Sequence, residues 1–467
     1  MLFGKIWQLQ IQIFRKCNGL SPLIRINDLL NESEPKQDIV IQGWVRHAQR
    51  FGKMLFLKLN DGTCPHQLQA VVPRKICHIV HVGSALRLHG HWIPSIGEQQ
   101  QMEFLAEKCL FVNDSNEFIG DGKDKDSLRL IPHLRPKTLE FASILRMRSR
   151  LNFLIHKFFN DRHFIHIDTP MFSQNDCEGA GEAFSATCSE KNFFGDTQQT
   201  FLPVSGQLHL EAMSSSLGNV YTISPCFRAN PSKTRQHLAE FKMLEVECAF
   251  VDSLEHLCTN VEEFLRFIIS STEPSSQTAD FEASAPFCQR NSIDGEKLAS
   301  SKILAECLAN KEKPFPRISF IEAIKLLGRQ LNDDEINKQL SRKDEFDLVD
   351  AFGGPVFVTH FLADQKPFYM RRTEDGKYTE SFDLLAPFVG ELAGGSVREW
   401  DKELLASRLP IQKEGKLEWY MDLRRYGYPR SAGFGIGVDR LMQSLFGIGN
   451  IKDTIPFPRW ANQTIKC

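Results

Sequence analysis

The chain carries twelve cysteines, yet no two form a Cys-x-x-Cys pair and none stands at a Cys/His ligand spacing. In 467 residues that scatter reads as reduced thiols. It offers no disulfide framework and argues against a structural zinc. No apolar run approaches the length of a membrane span, and no internal repeat is present. Net charge is nearly missing too, at a formal −2. Steering of a polyanion by the whole molecule therefore has no basis, and such a partner needs a local basic face.

One further absence is positional. Residues 1–27 hold no Asp or Glu, but do hold Lys5, Arg15, Lys16 and Arg25, with Ile6, Leu9 and Ile13 near helical spacing. An acid-free, basic, amphipathic leader resembles a mitochondrial transit peptide, although this one is poor in serine. The mitochondrial matrix is the expected location; an ordinary basic arm on a cytoplasmic protein is the alternative.

What is present is an apolar content of 42% and a charged content of 24%, values of a globular protein that folds in water. The length suggests two or three domains. Residues 38–112 alternate strand-like runs and turns (IVIQGWV, MLFLKLNDG, LQAVV, SALRLHGHWI, MEFLAEKCLFV), which predicts a five-stranded closed barrel of the oligonucleotide-binding (OB) kind in a domain of residues 28–112. Residues 36–110 carry nine Lys and Arg against five Asp and Glu, plus six histidines. Phe56 and Gln69 fall mid-strand, where a ring can stack a base and an amide can read a base edge. Phe56 could equally be barrel core. Residues 113–135 read as a polar linker and 136–467 as a large mixed domain, with a helical insertion expected at 270–313. The fold class is α+β, the large domain being built on an antiparallel sheet flanked by helices.

In that domain, LRMRSRLNFLIHKFF predicts a helix with a basic face, followed by the short strand FIHIDTP. Residues 220–250, VYTISPCFRANPSKTRQHLAEFKMLEVECAF, predict two strands joined by a polar loop. Residues 433–440, GFGIGVDR, predict a strand running into a helix. Arg228 and Arg440 thus sit on fixed elements, where two guanidinium groups can clamp a bent triphosphate. His237, Glu240 and Phe241 offer a phosphate contact, an acceptor for an exocyclic amine and a stacking face. Taken singly, each arginine reads as a surface ion-pair partner; the ordered set is far more specific. In FDLLAPFVGELAGGSVRE, Asp383 and Glu391 lie across a turn and together suit Mg²⁺, while Arg398 offers a fork to a small ligand.

These segments resemble motifs 1, 2 and 3 of the class II aminoacyl-tRNA synthetases, in the subgroup for aspartate, asparagine and lysine. The likeness runs from about Val40 to Arg459. Within that subgroup SGQLHLE, HLAEF, KPFYM, DLRRYG and NIKDTIPFPR resemble the asparagine branch. The resemblance implies ATP and Mg²⁺ as cofactors, L-asparagine and tRNA(Asn) as partners, and a homodimer with no membrane association. It implies that Arg228 binds the α-phosphate and Arg440 the γ-phosphate. Phe241 would stack on adenine, Glu240 would lie near its amino group, and His237 would touch the pyrophosphate end. Asp383 and Glu391 would hold the magnesium. Glu178 and Glu245 would surround the amino acid's ammonium, Ser205, Gln207 and Arg398 would hold its remaining groups, and Phe56 and Gln69 would read the anticodon.

Substrate choice rests on the run 205–211. Where the aspartyl pattern places a lysine, this chain has Leu210, followed by Glu211. An anion there would accept from a carboxamide and repel a carboxylate, which predicts asparagine over aspartate. Several positions depart from the family pattern. Asn230 replaces a motif 2 acid. The loop's Arg-His pair is Gln236-His237, its arginine displaced to Arg235. Motif 3 reads Asp439-Arg440 for Glu-Arg, preceded by Arg430-Ser431-Ala432-Gly433 for Pro-His-Gly-Gly. Gln49 stands at an arginine position of the barrel. An aspartyl enzyme, including a non-discriminating one, and a non-catalytic RNA-binding relative are the alternatives. Leu210 and Glu211 argue against the first, and the retained triphosphate and magnesium groups argue against the second.

Overall fold

The computed structural model describes residues 21–78, 80–97, 100–115, 124–173, 183–188, 193, 200–232, 234–272, 278–289, 313–329, 339–409, 417–465 and 467. Most of the leader, Glu178 and the greater part of the expected insertion lie outside the described residues. Two compact units result, 1–146 with 276–285, and 147–275 with 286–467.

In the first unit, β1 (Lys36–Phe51), β2 (Met54–Asn60), β3 (Leu68–Pro73), β4 (Ala85–Pro94) and β5 (Met102–Asn113) close into a barrel in the order β1-β2-β3-β5-β4. This is the expected OB-type barrel. Strand alternation decides its two faces. Leu55, Leu57 and Leu59 of β2 point inward and pack with Ile41, Leu68, Leu88 and Phe104. Phe56 and Lys58 are left half-buried on the outside. Helix Ile26–Leu30 adds Ile26 and Leu29 to the same core. Residues 276–285 group with this unit, and Arg146 accordingly donates to Asp280 at 2.7 and 2.8 Å.

Helix α1 (Leu139–Asn160) contains the division between units and supplies the predicted motif 1 helix. The second unit adds β6 (Ile165–His166), α2 (Gln207–Leu217), β7 (Val220–Phe227), β8 (Glu240–Ala249) and α3 (Leu254–Thr272). It continues with β9 (Arg317–Ser319), α4 (Arg342–Phe352), β10 (Val356–Thr359), β11 (Ser381–Ala386), β12 (Gly390–Val397), β13 (Ser431–Gly437) and α5 (Val438–Phe446). Eight strands form one sheet in the order β9-β10-β11-β12-β13-β8-β7-β6. The six middle strands are antiparallel, as expected. The two edge pairs, β9 with β10 and β7 with β6, are parallel, so the sheet is mixed. Helix α3 buries Leu257, Val261, Phe264, Leu265 and Ile268, a stripe at three- and four-residue spacing.

A buried ion pair joins the motif 1 and motif 3 helices. Arg148 Nη1 stands 2.5 Å from Asp439 Oδ1, both side chains being nearly inaccessible. Asp439 also accepts from the Lys242 N–H at 3.1 Å and the Thr454 hydroxyl at 3.1 Å. Each acceptor bond fixes the start of α5, and with it the next residue, Arg440. Asp439→Ala leaves Arg148 charged without its carboxylate, held by the Thr454 carbonyl at 3.0 Å. The expected loss is about 3–5 kcal/mol of stability, read by denaturant unfolding. An unchanged midpoint would show that this pair does not hold the helices.

Candidate active site

A cavity of about 810 Å³ opens on the second unit's sheet. Its floor includes Phe241, Met243, Glu245 and Glu247, alternate residues of β8 that face one side. The predicted hairpin is present as β7 and β8, paired from Phe227–Glu240 to Val220–Glu247. Arg228 follows β7 directly. Its N–H donates to the Ala239 carbonyl at 3.0 Å, and its guanidinium carbon lies 5.4 Å from the Phe241 ring centre. Arg440, in the first turn of α5, donates to the Glu391 carbonyl at 2.8 Å and stands 3.5 Å from the Glu391 carboxylate. Arg228, His237, Phe241 and Arg440 all line the cavity. Burial, with help from Arg440 and Arg342, holds His237 below the ordinary histidine range, so its imidazole is neutral at neutral pH.

Asp383 and Glu391 reach the same cavity through a register shift. Asp383 pairs with Gly394, but a bulge in β12 sets Leu385 opposite Glu391. Without that extra residue Glu391 would face the other side of the sheet. A Cβ placed on Gly394 would lie 3.4 Å from Asp383 Oδ1 and 3.6 Å from Glu391 Oε1, so both carboxylates flank one point of bare backbone. Lys366 Nζ donates to both Asp383 oxygens at 2.9 and 3.0 Å. Desolvation pushes Asp383 above the usual carboxylate range, opposed by Lys366 and aided by Glu391. Desolvation acts on Glu391 as well, but Arg440, Lys366 and Arg228 together hold it below its usual value. Two carboxylates beside open backbone fit a cation that fills its remaining positions with water and phosphate oxygens.

At the other end lie Gln207, Glu245, Glu247 and Arg398. Glu245 accepts from the Ser205 hydroxyl and from the Gly206 N–H at 2.9 Å. Arg398 donates through Nε and Nη2 to Glu247 at 2.8–3.2 Å, and through Nη1 to Ser396 at 2.7 Å. Burial alone would lower the Arg398 guanidinium; Glu247 and Glu211 outweigh it and keep the group charged. Burial first, and Glu211 beside it, push Glu247 up to about 7 against the pull of Arg398.

Three expected residues are off the cavity wall. Glu240 is one residue from Phe241 on the strand and takes the opposite face. The Ser205 hydroxyl is turned onto Glu245. Glu211, one helical turn beyond Gln207, is wholly buried beneath it. It accepts from Gln207 at 3.0 Å, Tyr420 at 2.6 Å, Tyr428 at 3.0 Å and Arg424 at 3.2 Å. The anion that faces the pocket is Glu247 in place of Glu211. Its position two residues after Glu245 was the available signal, since residues i and i+2 of a strand share a face.

In the barrel, Phe56 lies outside the core, on the same outer face as Lys58, which pairs with Gln69 across β2 and β3. Gln69 donates to Glu103 at 3.1 Å. A half-buried ring beside an amide and an ammonium is suited to an unpaired base.

Residues 128–461 match the family described as tRNA synthetases class II (D, K and N). The chain is 38% identical to the Homo sapiens asparaginyl-tRNA synthetase, over 95% of each chain. It is 36% identical to the asparagine–tRNA ligase of Microcystis aeruginosa, over 93% of this chain and 98% of that one. The crystal structure of asparaginyl-tRNA synthetase from Pyrococcus horikoshii, complexed with asparaginyl-adenylate, is similar at a TM-score of 0.78 and 28% identity. That likeness covers 94% of this chain and 99% of the other. The chain belongs to the class II asparagine–tRNA ligases. Membership sets the reaction type, activation of the amino acid with ATP through an adenylate followed by ligation to tRNA. For a ligase of this kind the cavity's plan is economical, with guanidinium groups at both ends and carboxylates between. Lys366, Tyr369 and Glu345 also line it. Lys366 and Tyr369 belong to KPFYM, a segment that carries the resemblance but was assigned no role, whereas Glu345 lies outside every quoted segment.

Proposed function

We propose that this chain activates L-asparagine at the cavity described and transfers it to tRNA(Asn) in mitochondria, as a homodimer. The observation that carries the substrate choice is the buried charge count around Arg398. Arg398 and Arg424 face Glu211 and Glu247, two positive groups against two negative. A balanced pocket suits a carboxamide, whereas an aspartate side chain would bring an uncompensated charge. Arg398 and Glu247 together present a donor and an acceptor to the amide.

The amino acid's α-carboxylate is ionised at neutral pH and needs no general base. Its oxygen bonds to the α-phosphorus while the bond to the bridging oxygen breaks, and pyrophosphate leaves. Catalysis is then in-line placement plus relief of charge on the five-coordinate phosphorus. Arg228 holds the α-phosphate, Arg440 and neutral His237 hold the far end, and Phe241 stacks on adenine. Glu245, braced by Ser205 and Gly206, accepts from the substrate ammonium, with Gln207 beside it. Asp383 and Glu391 are the residues that would hold Mg²⁺, which supplies neutralisation of phosphate charge when bound.

The dimer reading is supported by β6, an edge strand whose Ile165 is exposed, and by exposed Phe153 on α1. The acid-free leader supports mitochondrial import. Charging of organellar tRNA with labelled asparagine by purified protein tests the whole reaction; no charging would overturn it. Phe56→Ala is expected to lower kcat/KM for tRNA by about 10- to 100-fold, the worth of one stacked base. Asparagine-dependent pyrophosphate exchange should stay unchanged in that variant. Equal loss in both assays would remove Phe56 from anticodon reading.

A further inference from the structure

The turn between β11 and β12 is gripped by three side chains from three separate elements. Gln236 Nε2 donates to the Phe388 carbonyl at 3.4 Å. Arg342 Nη2 reaches the Val389 carbonyl at 3.5 Å, and Arg440 Nη1 takes the Glu391 carbonyl at 2.8 Å. Phe388 and Gly390 both have positive φ, so the turn presents these oxygens in close succession. The first and third of the gripping residues line the cavity at its triphosphate end. Arg342 stands between them in anchor order, and its neighbours Leu340 and Glu345 are also cavity wall.

Gln236 lines the triphosphate end as a neutral amide, and the loop's arginine is the adjacent Arg235. The side-chain oxygen of Gln236 is buried without a hydrogen bond. A neutral amide cannot supply the charge-assisted bond that a guanidinium gives to phosphate. We infer that Arg342 supplies the charge that Gln236 cannot, binding the β- and γ-phosphates of ATP and the released pyrophosphate. This rests on the ligase reading above and assigns the triphosphate subsite one further binding residue.

Four features fit the role. Arg342 is exposed and its bond to Val389 is long, so the guanidinium gives up little on turning to a phosphate. Its base is fixed as the first residue of α4, which is closed by a capping box between Ser341 and Asp344. Glu345, one turn along, accepts from the Glu391 N–H at 3.1 Å and so locks the helix start to the magnesium-side strand. Arg342 and Arg440 also bear on the same neutral His237 and on each other, a concentration of positive charge, partly offset by Glu345 and Glu391, that favours an anion.

The test is steady-state ATP–pyrophosphate exchange on wild type, Arg342→Ala and Gln236→Arg/Arg342→Ala. Arg342→Ala is expected to raise KM for ATP and for pyrophosphate about tenfold, with KM for asparagine unchanged. The double variant is expected to recover most of that loss. Thermal unfolding of each variant is followed alongside, and a wild-type midpoint is expected because position 342 is exposed. Unchanged KM values for ATP and pyrophosphate in Arg342→Ala overturn the inference. So does an equal rise in KM for asparagine, which would mark a merely structural role, and so does failure of Gln236→Arg to rescue. Absence of asparagine-dependent exchange in wild type would instead sink the ligase reading itself, so the two failures are distinct.

Discussion

Arg228→Ala is expected to lower asparagine-dependent ATP–pyrophosphate exchange by on the order of 10²–10³ in kcat, comparable to deleting one preorganised donor to a developing oxyanion. The reason is geometric. Arg228 is the first residue beyond β7, with its backbone tied to Ala239 and its guanidinium set near Phe241. A charge fixed in that way needs no reorganisation when the phosphorus becomes five-coordinate. Lysine at the same site would retain the charge but lose the planar fork, so Arg228→Lys should recover only part of the loss. Near-wild-type exchange in Arg228→Ala would remove this residue from the mechanism.

Glu247→Gln should move selectivity as far as Arg228→Ala moves rate. It leaves Arg398 and Arg424 facing Glu211 alone, a pocket with one positive charge in excess. Such a pocket welcomes a carboxylate, and discrimination against aspartate should fall by up to about 10³. The same balance predicts a pH dependence. Glu247, an acid raised to about 7 by its burial and by Glu211, is ionised above that value and protonates as pH falls through it. Preference for asparagine should therefore be full at about pH 8 and weaker at about pH 6. Glu247→Gln should abolish that slope. A selectivity independent of pH in wild type, or unaltered in the variant, would place the choice elsewhere.

The parts of this site carried by short, local patterns were legible in the sequence. Alternating runs gave the barrel and put Phe56 and Gln69 on strands. The hairpin around Arg228 and the strand-to-helix step before Arg440 follow from residue type and spacing alone. The misplacement of Glu211 shows where such reading stops. Leu210 and Glu211 occupy the right stretch of α2, but the helix turns Glu211 beneath Gln207, onto two tyrosines and Arg424. Those partners lie more than 200 residues away, and no periodicity announces them. The bulge opposite Leu385 was equally invisible, yet it alone turns Glu391 to the side of Asp383. Glu247 is a different case. It shares a strand face with Glu245 by simple alternation, so its place in the pocket is legible from residue spacing.

The departures in the family pattern also take physical form. Asp439 for glutamate remains a full acceptor, tied to Arg148, Lys242 and Thr454. Gly433, retained after three changed residues, has no room for a side chain. A Cβ there would meet Glu247 Oε2 at 2.0 Å and Arg398 Nη2 at 2.5 Å. The bare backbone of that glycine leaves room for Glu247 and Arg398 to meet.

Amino-acid-dependent ATP–pyrophosphate exchange by the purified chain, compared across asparagine, aspartate and lysine at about pH 8, bears most directly on the account. Robust exchange with asparagine and a kcat/KM at least about 10³ lower for aspartate is the predicted result. Comparable exchange with asparagine and aspartate, or exchange with neither, would contradict it.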